Sequence, residues 1–344
     1  MKMISMLEIL RYIISMNTKN YLGEKLKLLI VGSLAYDSIS TEVNKVENTL
    51  GGSAVYAGIS AAGHLERIFN HSKEEIGLVG VIGNDFLDSD LKVLEKKGLN
   101  ISGIKKEEGL TFRWSGSYSG DMSQAITHST ELNVFETFSP IVPNDLRTPE
   151  ITFCANMHPS IQASVLDQSN PKKFAAVDSM NLWINNTPRE LSEILRRVEM
   201  AILNSDEVMM LAKCEDLVQA GNLIRSGKAL FDDGTSRKGP EILIIKKGGE
   251  GVLALFKDTT IELPAFPTSK IIDPTGCGDS FAGALLAHLS NSSSKFPTKN
   301  ELYESLIHAN VTASFTIEEM GVNRINSLQN EEYNKRYIEY LELI

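Results

Sequence analysis

Short apolar runs alternating with longer amphipathic stretches are the feature of this 344-residue chain that most restricts its fold. Ile151–Met157, Phe174–Val177, Ala201–Leu203 and Glu241–Lys246 have the length and composition of buried strands. Between most of them lie stretches with helical spacing, such as Arg189–Val198 and Glu207–Arg225. Lys27–Val31 and Ile76–Ile82 read as two earlier buried strands, and Ser53–Phe69 and Phe86–Lys97 as helices. Gly251–Phe256 supplies a hairpin partner, and the helices Gly278–Leu289 and Lys299–Glu319 close the series. Strands that are apolar throughout must be covered on both faces, and strand–helix alternation makes such a sheet parallel. The expectation is an α/β protein with a mainly parallel central sheet and helices on both faces. Two segments, 34–50 and 111–130, are rich in β formers, Ser and Thr. They read as strands lying off the main sheet.

Composition narrows the function classes. A formal net charge of −10 argues against a dedicated nucleic-acid binder. Cys154, Cys214 and Cys277 are far apart and odd in number, which fits reduced thiols in a cytoplasmic protein. The six histidines show no metal-ligand spacing, so a zinc site is not expected. No stretch approaches the ~20 apolar residues of a membrane span. Met1–Met16 is apolar but interrupted by Glu8 and Arg11, without a following cleavage site. It reads as part of an N-terminal extension, residues 1–26, with Met16 a second candidate start, ahead of a folded part at 27–344.

In sheets of this kind ligands sit at the carboxyl ends of strands. The most informative loop is therefore that of Ile271–Leu289, IIDPTGCGDSFAGALLAHL. Pro274, Gly276 and Gly278 enforce a sharp turn just before a helical pattern begins. A helix start offers unpaired N–H groups and a positive dipole end to an anion. Asp279 sits among those donors. On spacing alone it reads either as a helix cap or as a general base beside an anion hole. The string is neither a Walker A loop, having no Lys-Ser/Thr, nor a dinucleotide fingerprint.

Asp-Pro-Thr-Gly-Cys-Gly-Asp-Ser-Phe-Ala-Gly resembles the C-terminal signature of the PfkB, or ribokinase-like, carbohydrate kinases. The resemblance extends in order from about Lys27 to Ile325. It implies a ribokinase-like three-layer sandwich with a small β lid, which would close over the acceptor and exclude water. It also implies ATP-dependent phosphorylation of a primary hydroxyl on a sugar or sugar-containing small molecule, with Mg²⁺ and in some members K⁺. Asp279 would be the base, and the amides of Gly276, Cys277 and Gly278 the anion hole. Asp37 matches the family's hydroxyl-binding carboxylate, and Gly51–Gly52 its di-glycine next to the acceptor. Asn204-Ser-Asp-Glu207 is similar to the Asn-x-x-Glu element, which implies a phosphate role for Asn204 and a Mg²⁺ role for Glu207. Lys247, Gly248, Gly251, Thr275 and Asn310 fall where the family contacts the nucleotide or a monovalent cation.

Two departures bear on the acceptor. Gly51-Gly52-Ser-Ala-Val-Tyr56 places a phenol where many members carry an Asn amide. Asp178-Ser-Met-Asn-Leu-Trp183 lacks the arginine of the sugar-acid members, so no catalytic role is carried onto Asp178 or Asn181. In the lid, alternation puts Phe112 and Trp114 on one face and Arg113 on the other. Arg113 would read an anionic substituent if its face met the pocket. Tyr56 and Trp114 could stack on a base, which makes a nucleoside kinase the alternative, ahead of a catalytically inactive ligand sensor. A homodimer through the lid is the assembly such a fold allows.

Overall fold

The computed structural model describes residues 26–344 apart from 43, 72, 73, 121, 123, 124 and 233. Residues 1–25 of the expected extension, with Met16, lie outside the described residues. Thirteen strands are described: β1 (Leu28–Val31), β2 (Ala35–Ser40), β3 (Lys45–Gly51), β4 (Ile76–Ile82), β5 (Leu99–Lys106), β6 (Phe112–Ser117), β7 (Ile126–Glu131), β8 (Ile151–Cys154), β9 (Phe174–Asp178), β10 (Met200–Asn204), β11 (Ile242–Lys246), β12 (Val252–Phe256) and β13 (Thr259–Leu263). Nine form one sheet in the order β13-β12-β11-β10-β9-β8-β1-β4-β5. It is parallel from β11 to β5, and the hairpin strands β12 and β13 run antiparallel at one edge.

The apolar runs are buried on both faces, and alternation along each strand divides the core in two. Leu28 and Ile30 of β1 face one layer, built from the helices Ser53–Phe69, Cys277–Ser290, Lys299–Thr316 and Asn330–Leu343. Leu29 and Val31 face the other, built from Pro159–Gln168, Pro188–Leu195, Ser205–Ala212 and Leu217–Arg225. Parallel register aligns the strand ends: Ile202 pairs with Asp178, and Asn204 with Lys246. Polar residues that end neighbouring strands therefore meet along one rim.

The remaining strands form a smaller, separate four-stranded sheet, β3-β2-β6-β7, which is the lid. Its middle pair, β2 and β6, is parallel, and the outer pairs are antiparallel. No described helix is long and apolar enough to cross a membrane.

Candidate active site

Gly276 caps the helix Cys277–Ser290 with φ 73°. A β-carbon there would overlap the Tyr56 ring, so both backbone and space demand glycine. The helix start is fixed from below. Ser60 donates to the Ser280 carbonyl at 2.5 Å, and Gly283 lies directly on the Ala57 backbone. Buried Asp273 accepts the amides of Thr275 and Gly321, each at 2.9 Å, and so sets the entry to the turn. Asp279 is the third helical residue and not the cap; its carboxylate takes its own backbone N–H. Of the three amides expected to face an anion, that of Cys277 is engaged in closing the turn, donating to the Pro274 carbonyl at 3.2 Å.

Beneath this turn lies a charge cluster that sequence reading missed. Lys246, at the end of β11, donates to Asp178, at the end of β9, at 2.8 Å. Its Nζ is 3.2 Å from where a Gly278 β-carbon would sit. Burial opposes the Lys246 ammonium, but Asp178 and Glu207 outweigh it and lift its pKa. Burial pushes Asp279 up to about 7, with Asp178 adding to the rise and Lys246 opposing it. Glu207 is likewise pushed to about 7 by burial, with Lys246 opposing and Asp178 adding. One cation is thus shared among three carboxylates under the glycine turn. Asp178 belongs to the site electrostatically, although its motif gave no reason to place it there. The available signal was positional: both residues follow buried runs.

On the lid side, the Asp37 carboxylate lies against Gly51 and accepts the Gly52 amide. Gly52 has φ 98°, and a β-carbon there would meet the Ser33 carbonyl. Asp37 is only 4% exposed; burial, then the nearby Asp273 carboxylate, raise it to about 7. Tyr118, just past β6, accepts from Thr275 Oγ1 at 3.2 Å, which ties the lid to the glycine turn.

Two expectations on the acceptor side are corrected. Tyr56 is 1% exposed, with its ring packed under Gly276, so it supports the turn and offers no stacking face. Burial, then Asp37, raise its pKa far above the ordinary phenol value, and among the described residues its hydroxyl has no hydrogen-bond partner. Arg113 lies over the Tyr36 ring and donates to Asp85 at 2.5 Å and to Asn48. Pairing explains this orientation. Arg113 aligns with Tyr36 and Trp114 with Asp37 across β2 and β6, so Arg113 faces away from Asp37 and its charge is met by Asp85.

Residues expected at the nucleotide are less concentrated. Asn204 and Glu207 form a capping box: each backbone N–H is taken by the other's side chain, at 2.8 and 2.7 Å. The Asn204 amide also donates to the second Glu207 oxygen at 2.7 Å. Lys247 is tied to Glu262 at 2.7 Å, while Gly248 and Gly251 shape the β11–β12 turn beside it. Asn310 departs most from expectation. Its amide donates to Tyr340 at 2.8 Å and to the Pro264 carbonyl at 3.3 Å, anchoring the last helix. A groove of about 670 Å³ between Pro159, Arg189 and Phe231 is lined by none of these residues.

Comparison with known proteins shows the family to which the chain belongs. The sequence profile of the pfkB family carbohydrate kinases covers residues 25–328. The chain is 28% identical to the cytidine kinase of Thermococcus kodakarensis over 77% of its own length and 89% of that protein. It is 26% identical to a nucleoside kinase of Methanocaldococcus jannaschii, covering 71% of this chain and 74% of the relative. It is 23% identical to the inositol 3-kinase of Arabidopsis thaliana, over 86% and 75%. Among solved structures, the M. jannaschii nucleoside kinase superposes with a TM-score of 0.67 at 21% identity, over 92% of this chain and 100% of that one. The adenosine kinase of Sinorhizobium meliloti gives 0.71 at 15% identity, over 91% and 99%. With its parallel sheet, its separate lid and its glycine turn, the chain belongs to the pfkB family of carbohydrate kinases, as an ATP-dependent sugar or nucleoside kinase.

Proposed function

We propose that the acceptor is a nucleoside and that the chain phosphorylates the primary hydroxyl of its ribose. The observation that carries this reading is the pairing of Asp37 with Trp114 across β2 and β6. Paired residues on neighbouring strands share a face roughly 5 Å apart. A carboxylate able to accept from vicinal ribose hydroxyls thus shares a sheet face with Trp114, whose indole lies over Gly116, donates to Thr127 Oγ1 at 3.3 Å and is able to stack on a base. The names of the cytidine and nucleoside kinases among the relatives point the same way.

In the reaction Asp279 takes the proton of the attacking hydroxyl while the hydroxyl oxygen bonds to the terminal phosphorus of ATP and ADP leaves. A base with a pKa near 7 is matched to that task at neutral pH. The helix N-terminus and the amides of Gly276 and Gly278 stabilise the charge on the transferring group, with Lys246 beneath them. The oxygen groups of Glu207 and Asp178 fit Mg²⁺, but Lys246 already occupies their inner side. They suit a hydrated ion reached through its water, which would neutralise phosphate charge.

Turnover measured across a panel of nucleosides and free sugars tests the acceptor. Trp114→Ala is expected to weaken nucleoside binding by roughly 5- to 150-fold, the worth of one base–aromatic stack. Activity on free sugars should change little. Equal losses on both, or a parent enzyme that prefers free sugars, would refute the nucleoside reading.

A further inference from the structure

The loop between β4 and the helix Asp88–Lys96, residues 83–87, follows a strand of the main sheet yet grips the lid. The helix expected over Phe86–Lys97 begins at Asp88, which lets Phe86 and Leu87 meet β2. Gly83 lies directly on the chain entering β6. A β-carbon there would meet the Gly109 carbonyl and the Thr111 nitrogen, and its own N–H donates to Thr111 Oγ1 at 3.0 Å. Asp85 Oδ1 accepts the Thr111 amide and the Thr111 hydroxyl, each at 2.7 Å. Its second oxygen takes Arg113 of β6 at 2.5 Å. On β2, the Tyr36 ring stacks on Phe86 with centroids 5.3 Å apart. The Tyr36 hydroxyl accepts the Leu87 amide at 2.9 Å and donates to Asp90 at 2.7 Å. The loop and the helix start behind it thus hold both middle strands of the lid.

The grip falls at the register of the acceptor but on the other face. Tyr36 pairs with Arg113, and the next residues, Asp37 and Trp114, pair with each other. Side chains alternate along a strand, so the held pair backs the pair proposed to meet the acceptor. One residue is roughly 3.3 Å of strand, and over that distance a paired ladder leaves no slack. The Arg113 guanidinium also lies over the Tyr36 ring, 5.6 Å from its centroid, so the charge on Asp85 orients β2 and β6 together. Thr111 is fully buried, and the Arg113 and Asp85 side chains are 28% and 20% exposed. Burial opposes the Asp85 charge, but the Thr111 and Arg113 bonds outweigh it and lower its pKa, which keeps the carboxylate ionised at neutral pH. Hydrogen bonds to an ionised group are the stronger kind.

We infer that Asp85 is a positioning residue for phosphoryl transfer: through Arg113 and Tyr36 it sets where the acceptor-binding face of the lid stands over the glycine turn. This role rests on the reading of Asp37 as the group that binds the acceptor hydroxyls. Asp85 itself is on the back of that face and acts only through the strands. Its effect falls on the acceptor, which is held between the lid and Asp279. ATP is affected little, because its expected contacts at Asn204, Lys247 and the glycine turn belong to the main sheet and its loops. Sequence spacing hid the role, because Asp85 and Arg113 lie on different elements and meet only through the pairing of β6 with β2.

The test uses the full chain with the best acceptor from the panel, whichever class it belongs to. Asp85→Asn keeps an oxygen for Thr111 and removes the charge that holds Arg113. Acceptor KM should rise about tenfold or more, the lower end of what a charge-assisted hydrogen bond is worth, while KM for ATP stays within about twofold. Arg113→Gln should reproduce that split. In the Arg113→Gln background, Asp85→Asn should add less than about twofold, because the two residues act as one unit. A merely structural role would lower the active fraction, cutting kcat and leaving both KM values at the parental level. That outcome, or additive losses in the double variant, overturns the inference. Asp37→Asn separates the two readings. A parental acceptor KM there removes the Asp37 site and the role of Asp85 with it; a rise there without one in Asp85→Asn removes the role of Asp85 alone.

Discussion

Replacing Asp279 by Asn is expected to raise stability while abolishing most of the turnover, and the size of the first effect follows from burial. The native carboxyl sits near 7 against an ordinary 3.8. At about 1.36 kcal/mol per pH unit, a gap of about three units is worth about 4 kcal/mol. Between those values the unfolded chain releases the proton and the native state keeps it, so rising pH favours unfolding. The penalty starts near pH 4, grows to about pH 7 and stays constant above that. Asp279→Asn never carries the charge. It should exceed the parent in stability by up to about 4 kcal/mol at pH 8, and by nothing below about pH 4. Losing a partner of Lys246 reduces this advantage, so 4 kcal/mol is an upper bound. Loss of a general base should lower kcat by about 10²–10⁴-fold. Urea unfolding at pH 4.5 and 8, with ADP release followed by a coupled assay, reads both effects. A stability difference that does not depend on pH would refute the buried-charge reasoning, and near-parental kcat would refute the base.

Lys246→Met leaves Asp178 and Glu207 without their shared cation and should cost about 3–5 kcal/mol at pH 8. Glu207 already holds its proton below about 7, so the loss should shrink at pH 6; equal drops in melting temperature at both pH values would contradict the shared-cation picture. Tyr56→Phe removes a buried hydroxyl with no partner among the described residues and should stabilise the free enzyme by about 1 kcal/mol, with acceptor KM within about threefold of the parent. A tenfold rise in KM would mean that the hydroxyl reads the acceptor after all.

The layer architecture was legible because apolar runs of strand length carry their burial with them. The glycine turn was legible because only glycine tolerates the backbone at 276 beside the Tyr56 ring. The charge cluster was not. Asp178, Glu207, Lys246 and Asp279 lie on four different elements, and only parallel register brings their strand ends together. Arg113 was placed correctly opposite Trp114, but which face met the pocket depended on the pairing of β6 with β2. Tyr56 looked like a pocket residue because its motif position is next to the acceptor in the family. Its burial follows from the closeness of two helices, which spacing along one of them cannot reveal.

The Tyr118–Thr275 hydrogen bond has a consequence for how the lid is held. It joins two uncharged groups, one just past the lid strand β6 and one on the glycine turn, and so is worth about 1 kcal/mol, under twice thermal energy. A contact of that strength shifts any equilibrium that makes or breaks it by about fivefold and no more. The firmer hold on the lid is charged and lies elsewhere: Arg113 and Tyr36 donate to Asp85 and Asp90. A stronger, charged tether at this point would hold the product as firmly as the substrate.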